Sequence, residues 1–270
     1  MSFCARVLGL ALTALVTGCS RGKIERVEWP VMGTIAAVQT RGATPEETAE
    51  TVRAVKTAFA RVERLMNAHD PNSELSRLAP LAEPEILDRC DPAMRACYAR
   101  AFALARDSGG AFNPRWRGAA TLDLGAIAKG FAVDCAADAV GCPKDFDVLV
   151  DLGGNLRSVK GSWRTSVGGT DEVFVLDEGF ACATSAEYFR GKHIYDGRTG
   201  RPISNGVSSV TVVADRSASE ADGLSTTLFV LGPLEGVRFL DGPWKGVAAR
   251  VLWMMKDGHR ISHVTSGNRL

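Results

Sequence analysis

The chain has 270 residues, 46% of them hydrophobic, enough for one large domain or two small ones around a packed core. Its formal net charge is +1, so nothing points to a nucleic-acid surface. Beyond the N-terminus no stretch of 18 uninterrupted apolar residues occurs, which excludes a later membrane-crossing helix.

The N-terminus departs from this even composition. Arg6 precedes an apolar run from Val7 to Val16, and Thr17-Gly18-Cys19 follows it. At about ten residues the run is too short to span roughly 30 Å of hydrocarbon as a helix. A lone positive charge, a short apolar core and small residues before a break describe a secretory signal. Val16-Thr17-Gly18-Cys19 resembles a bacterial lipobox, in which the cysteine becomes the lipidated first residue. The expectation is a signal peptide over residues 1–18, lipidation at Cys19, a tether over 19–28 and a domain over 29–270. The protein is then exported and membrane-anchored, facing the periplasm. An ordinary signal peptide cut nearby, or a disordered tail, is the alternative. Cys90, Cys97, Cys135, Cys142 and Cys182 would remain, an odd number that cannot all pair. Cys90 and Cys97 are predicted on one helix, roughly 10 Å apart along its axis, too far to bridge. No C-x-x-C occurs, which argues against a zinc or thioredoxin-type site, and most of these cysteines read as small buried apolar residues.

Trp29 to Thr40 reads as a strand pair broken at Met32-Gly33. Thr44-Pro45-Glu46-Glu47 is a capping box with proline at the first helical position. The helix it opens carries Val52, Val55, Phe59, Val62 and Met66 on one face. Residues 67–84 are polar and turn-rich and read as a surface loop. Asp91-Pro92 is expected to cap a second helix, stopped by Gly109-Gly110. A third helix begins near Gly125 and ends by Gly141. Phe146 to Val150 is a buried strand turned by Gly153-Gly154, and short strands follow through Thr184. A hairpin-like segment surrounds Asp196-Gly197-Arg198-Thr199-Gly200. Val207 to Ala214 is a strand, and Ser219 is expected to cap a helix running to Leu231. Val247 to Met255 and Arg260 to Val264 form a hairpin around Asp257-Gly258. Strands and helices intersperse without βαβ regularity, which predicts an α+β fold with mixed or antiparallel sheet.

Two segments carry chemistry. Asp123-Leu124-Gly125-Ala126-Ile127-Ala128-Lys129-Gly130 places an acid, a tight backbone and a lysine where a helix starts. Free amides and the positive dipole end of a helix beginning near Ala126 could receive an anion, with Lys129 adding a point charge. The same spacing also fits a tight turn with a solvated lysine, and it is neither a P-loop nor a G-x-G-x-x-G fingerprint. Asp222 and Thr226 lie four apart, so a carboxylate and a hydroxyl share one helix face. They could hold a hard cation from one side, leaving the rest of its shell to waters and substrate oxygens, as magnesium commonly does. The alternative is an acid in a favourable first turn beside a partly buried threonine. His193, before the Asp196-Gly197 turn, could be a base, a phosphate donor or structural. His259 and His263 look superficial. Gly153-Gly154-Asn155 reads as a tight turn and Thr184-Ser185-Ala186-Glu187-Tyr188 as a loop. Absence of G-x-S-x-G and H-E-x-x-H removes two common hydrolase readings.

Taken jointly and in this order, the segments resemble the ApbE family, the FAD:protein FMN transferases. Met32-Gly33-Thr34, Ser73 to Arg77, Asp123 to Gly130, Gly153-Gly154, His193 to Pro202 and Ala221 to Thr226 each match a family motif. The resemblance implies a bilobal α+β fold with FAD in a cleft between lobes. It implies magnesium held by the Ala126 carbonyl, Asp222 and Thr226, and FAD contacts from Met32, His69, Asn113, Asp123, Lys129, His193 and Ile194. The implied reaction cleaves the FAD pyrophosphate, releases AMP and joins FMN through its phosphate to a Thr or Ser of an acceptor flavoprotein, such as a subunit of a respiratory pump. Asp222 or His193 is the expected base, with Lys129 adding positive charge. Two other functions use the same residues: a magnesium-dependent FAD pyrophosphatase, and a non-catalytic FAD-binding lipoprotein. The chain departs from the family in four places. His69 stands where many members have an aromatic, only Arg115 to Thr121 fills a segment that is usually longer, Gly197 replaces a usual proline and Ala186 a usual glycine.

Overall fold

A computed structural model describes residues 22–167, 171–187, 193–215, 217–242 and 244–264. The expected signal peptide and the lipidation site at Cys19 lie outside the described residues, as does Tyr188.

The first strand, β1 (Ile24–Val31), pairs along its whole length with β2 (Thr34–Arg41). The folded unit therefore reaches back to Ile24, and the expected tether over 19–28 is too long. The strand read from Trp29 thus starts five residues earlier, at Ile24, where charged and apolar residues alternate as in an edge strand with one wet face. Helix α1 (Pro45–Met66) starts where the capping box places it: Thr44 Oγ1 accepts from the Glu47 amide at 3.2 Å and Glu47 Oε2 accepts from the Thr44 amide at 2.7 Å. Val55, Phe59 and Val62 on its inner face are 0%, 0% and 1% exposed, each burial contributing about 1.5–3 kcal/mol.

The stretch read as one surface loop holds two short helices, α2 (Glu74–Leu78) and α3 (Glu83–Arg89). Each is too brief to show a period, but each has a local start: Ser73 Oγ accepts from the Ser76 amide at 3.1 Å, and Glu85 Oε2 accepts from the Ala82 amide at 3.3 Å. Helix α4 (Arg95–Asp107) begins later than Asp91, whose carboxylate instead binds the Ala93 amide at 2.9 Å in a preceding turn. Cys90 therefore ends α3 while Cys97 lies on α4, not on one shared helix. All five cysteines of the described residues are free; Cys90, Cys97 and Cys182 are buried, as expected of apolar fillers, whereas Cys142 is exposed.

Helix α5 (Ala128–Val140) stops at Gly141, whose φ of 71° suits glycine. It is followed by β3 (Asp147–Leu152), β4 (Asn155–Lys160), the ribbon β5 (Trp163–Ser166) and β6 (Val173–Leu176), and β7 (Phe180–Ala186). The segment read as a loop at Thr184-Ser185-Ala186 is the end of β7. The small pair β8 (Tyr195–Asp196) and β9 (Arg201–Pro202) leads into β10 (Val207–Asp215) and helix α6 (Ala218–Asp241). Ser217, not Ser219, caps α6, its Oγ accepting from the Glu220 amide at 3.1 Å. The helix breaks at Gly232, φ 71°, before Pro233, so its first segment ends where the sequence placed the helix end. Strands β11 (Ala248–Met255) and β12 (Arg260–Val264) complete the fold.

One eight-stranded sheet runs β1-β2-β3-β4-β7-β10-β11-β12, and its pairings are antiparallel. The α+β class follows. Side chains alternate between its faces. Val148, Val150, Ala181, Ala183, Val212 and Val251 join the core under the helices, while Leu149, Cys182, Val213 and Leu252 face a second core closed by the β5–β6 ribbon.

Candidate active site

Helices α5 and α6 meet at Gly130. A Cβ there would lie 2.2 Å from the Ala218 carbonyl oxygen and 2.7 Å from Asp222 Cβ, so only glycine permits the approach. Asp134, one turn further along α5, binds the opening of α6: its carboxylate accepts from the Ala218 amide at 2.8 Å, the Ser219 amide at 2.9 Å and Ser217 Oγ at 3.3 Å. Arg157 from β4 pairs with it at 2.7 Å. The sequence reading missed Asp134; its position on the helix after Lys129 was visible, its partners 83–85 residues away were not.

This junction fixes Asp222. The residue is 4% exposed. Its Oδ2 accepts from the Gly130 amide at 2.9 Å and lies 3.6 Å from Lys129 Nζ. The expected arrangement at this helix start is thereby corrected. The Gly130 donor goes to the chain's own Asp222, and the Ile127 and Ala128 amides both go to the Leu124 carbonyl, at 2.9 and 2.8 Å. The helix begins at Ala128 rather than near Ala126, and its first turn faces the Asp222 carboxylate. Lys129 Nζ also reaches the Gly125 carbonyl at 3.4 Å. Asp123 shapes the loop, its Oδ1 accepting from the Gly125 amide at 2.8 Å.

Thr226 lies one turn after Asp222 on α6. Its Oγ1 is 3.0 Å from Ser185 Oγ at the end of β7, which in turn is 2.8 Å from Ser225 Oγ. Neither serine was singled out from the sequence, because the contact joins residues 40 apart. Among the described residues no three His, Cys, Asp or Glu side chains gather to hold a metal by themselves. Asp222 and Thr226 offer oxygen donors only, one buried carboxylate and one hydroxyl on the same face of α6; the Ala126 carbonyl joins them only as the resemblance implies. Such a set fits magnesium, a hard cation that completes its shell with waters and phosphate oxygens.

The short segment after Pro114 is tightly built. The Arg115 guanidinium donates to the carbonyls of Ala79, Ala119 and Thr121 at 2.7, 2.6 and 3.1 Å. Trp116 stacks on Tyr195 with ring centroids 4.3 Å apart, and its indole N–H points to Asp123 Oδ2 at 3.3 Å. Asn113 Nδ2 donates to the Gly197 carbonyl at 3.0 Å. A side chain at Gly197 would strike Asn113 Cβ and the Gly110 carbonyl, both at 2.5 Å, which explains glycine where proline is usual. Asp196 pairs with Arg198 at 2.8 Å, and that guanidinium holds its carboxyl below the ordinary range.

The other expected residues spread around this centre. Met32 sits at the β1–β2 turn with φ 48°, its amide donating to Glu63 Oε1 at 3.0 Å. Ile194 is buried, its carbonyl accepting from the Ile203 amide at 3.1 Å, and His193 before it is exposed. His69 is exposed on the turn after α1. His259 is 81% exposed as expected, whereas His263 is only 20% exposed and lies 3.5 Å from Asp241.

Known proteins resemble this chain in sequence and in fold. The FAD:protein FMN transferase of Vibrio cholerae is 38% identical over 136 residues, 43% of this chain and 40% of that protein. The Escherichia coli protein of the same name is 35% identical over 131 residues, 42% of this chain and 37% of that one. The matched stretch thus spans about two fifths of these relatives' length. The fold extends further: the apo Pseudomonas stutzeri flavinyl transferase ApbE superposes with a TM-score of 0.72 at 24% identity, covering 93% of this chain and 97% of that one. The Vibrio cholerae flavin transferase ApbE does so at 0.70 and 23% identity, over 90% and 98%. The sequence pattern of the ApbE family matches residues 32–120 and 115–251, a stretch that holds the whole Lys129–Asp222–Thr226 centre, and the chain belongs to that family.

Proposed function

We propose that this protein transfers the FMN part of FAD to a threonine or serine hydroxyl of an acceptor flavoprotein, releasing AMP, with magnesium required. The observation that supports it best is Asp222, a buried carboxylate held by the Gly130 amide, 3.6 Å from the Lys129 ammonium and one turn from the Thr226 hydroxyl. The names of the similar proteins bring FAD and a protein acceptor to this reading.

Magnesium held by Asp222, Thr226 and the Ala126 carbonyl would supply positive charge to the pyrophosphate oxygens. Lys129, 24% exposed, adds charge at the same place. Met32, His69, Asn113, Asp123, His193 and Ile194 are assigned to FAD contact. In the reaction the acceptor oxygen attacks the FMN phosphorus, the bond to the bridging oxygen breaks, and AMP leaves with that oxygen. The hydroxyl proton needs an acceptor. Asp222 already binds an amide and faces an ammonium, so it is suited to hold a cation, and exposed His193 is the better base. The lipobox-like segment supports a location outside the cytoplasm with lipid at Cys19 as the anchor, where exported flavoproteins would meet the enzyme.

The test mixes the purified chain with FAD, magnesium and a flavoprotein domain bearing a candidate acceptor threonine, and reads adduct and AMP by mass spectrometry. Adduct and AMP, both abolished by EDTA and by Asp222→Ala, are expected. AMP with free FMN and no adduct would make it a hydrolase, and bound FAD with neither product a binding protein. Near-normal transfer by Asp222→Ala at low magnesium would sink the metal assignment.

A further inference from the structure

Three hydroxyls beside Asp222 admit one arrangement of their protons. Ser225 Oγ lies 2.9 Å from the Asp222 carbonyl oxygen, Ser185 Oγ lies 2.8 Å from Ser225 Oγ, and Ser185 Oγ lies 3.0 Å from Thr226 Oγ1. Each contact needs one hydrogen, each hydroxyl carries one, and a carbonyl carries none. Ser225 must therefore donate to the Asp222 carbonyl. Its proton being engaged there, it can only accept from Ser185. Ser185 has then given its only proton, so it must accept from Thr226. Ser225 is 0% exposed, which denies water a place in the count. Reversing any member would set two oxygens 2.8–3.0 Å apart with no proton between them.

The chain of donors ends at Thr226 with its proton turned toward Ser185. What Thr226 Oγ1 offers elsewhere is lone pairs, which a cation binds, and not hydrogen, which a cation repels. From this we infer that Ser185 is a positioning residue that makes Thr226 a ligand, and that Ser225 sets the direction of the relay from the interior of α6. The inference rests on the assignment of Thr226 to magnesium made above, and it adds the residue that orients that ligand. Strand β7 and helix α6 supply the two sides of the relay, so its geometry depends on how the helix lies over the sheet.

Magnesium binding, measured by titration calorimetry on the purified full-length chain with and without FAD, tests this independently of turnover. Ser185→Ala is expected to weaken magnesium binding about 10–100-fold, the usual scale when a group that orients a metal ligand is lost, while the melting temperature stays close to that of the unaltered protein. Ser185→Thr keeps the hydroxyl and restores binding. Ser225→Ala, which removes a hydroxyl bonded to Ser185 and to the Asp222 carbonyl rather than to Thr226 Oγ1, also weakens binding, because Ser185 is then free to donate to Thr226. A Ser185→Ala protein that binds magnesium normally while Thr226→Val does not would overturn the relay and leave the metal site standing. Normal binding by Thr226→Val, or no magnesium heat from the unaltered protein, would overturn both. Weak binding in all three alanine and valine variants without any flavin transfer by the unaltered protein would support the relay and reject the transferase.

Discussion

Gly130 shows how one missing side chain sets the site. Its amide is the donor that holds Asp222, and its lack of a Cβ lets α6 come within 2.2 Å of where that atom would be. Gly130→Ala must push Ala218 and Asp222 outward or fail to pack. Overpacking of this kind costs about 1–3 kcal/mol, and the carboxylate moves with its helix. The expected outcome is a lower urea midpoint together with a loss of magnesium binding larger than the stability loss alone explains. A variant that kept full magnesium affinity would show that the backbone contact is not what places Asp222. His193 is tested at the same scale: His193→Gln should slow transfer severalfold or more while FAD still binds, read by transfer rate beside flavin fluorescence. An unchanged rate would return the role of base to another group.

At the scale of elements, the α5–α6 junction is held by Asp134, which satisfies two amides at the start of α6 and pairs with Arg157. Asp134→Ala removes a helix cap, a loss of about 0.5–2 kcal/mol, and leaves a largely buried guanidinium unpaired. We expect about 2–4 kcal/mol of destabilisation in chemical denaturation, with Asp134→Asn recovering the cap but not the ion pair. Helix α1 and the β1–β2 turn were legible in the sequence because their signals are local: a capping box, a 3.6 period, a glycine after Met32. So was the Asp123–Lys129 and Asp222–Thr226 pairing of motifs, although only as two separate segments. What could not be read was the contact between them. Gly130 and Asp222 are 92 apart in sequence, and no local pattern announces a donor that far away. Ser185 was hidden for the same reason, since a serine near a strand end looks like a loop until the helix above it is placed. Helices α2 and α3 were lost to brevity, and Ser217 to its neighbour Ser219, two equally good caps of which packing selects one.

The whole molecule turns on its eight-stranded sheet, and one residue couples that sheet to pH. Asp151 on β3 is buried, and burial pushes its carboxyl up to about 6, against the Gly154 amide at 3.0 Å and Arg26, which both favour the charged form, and with Glu28, which opposes it. Its folded value lies above the unfolded one of 3.8. The protonated form is therefore the one the fold prefers. Its contribution to stability is fully present below about pH 4 and is lost as pH rises through about 6. A shift of this size corresponds to on the order of 3 kcal/mol. Asp91, held low first by the Ala93 amide and then by Arg61, and Asp196, held low by Arg198, act in the opposite sense and in a different window, losing stability as pH falls below the ordinary carboxylate range. The two effects separate if the unaltered protein is compared with Asp151→Asn at each pH. The amide keeps an acceptor for Gly154 and removes the charge. The stability difference between the two proteins should grow from near zero at pH 4 to its full value by pH 7, with the variant more stable. A difference independent of pH would mean that Asp151 is ionised without penalty.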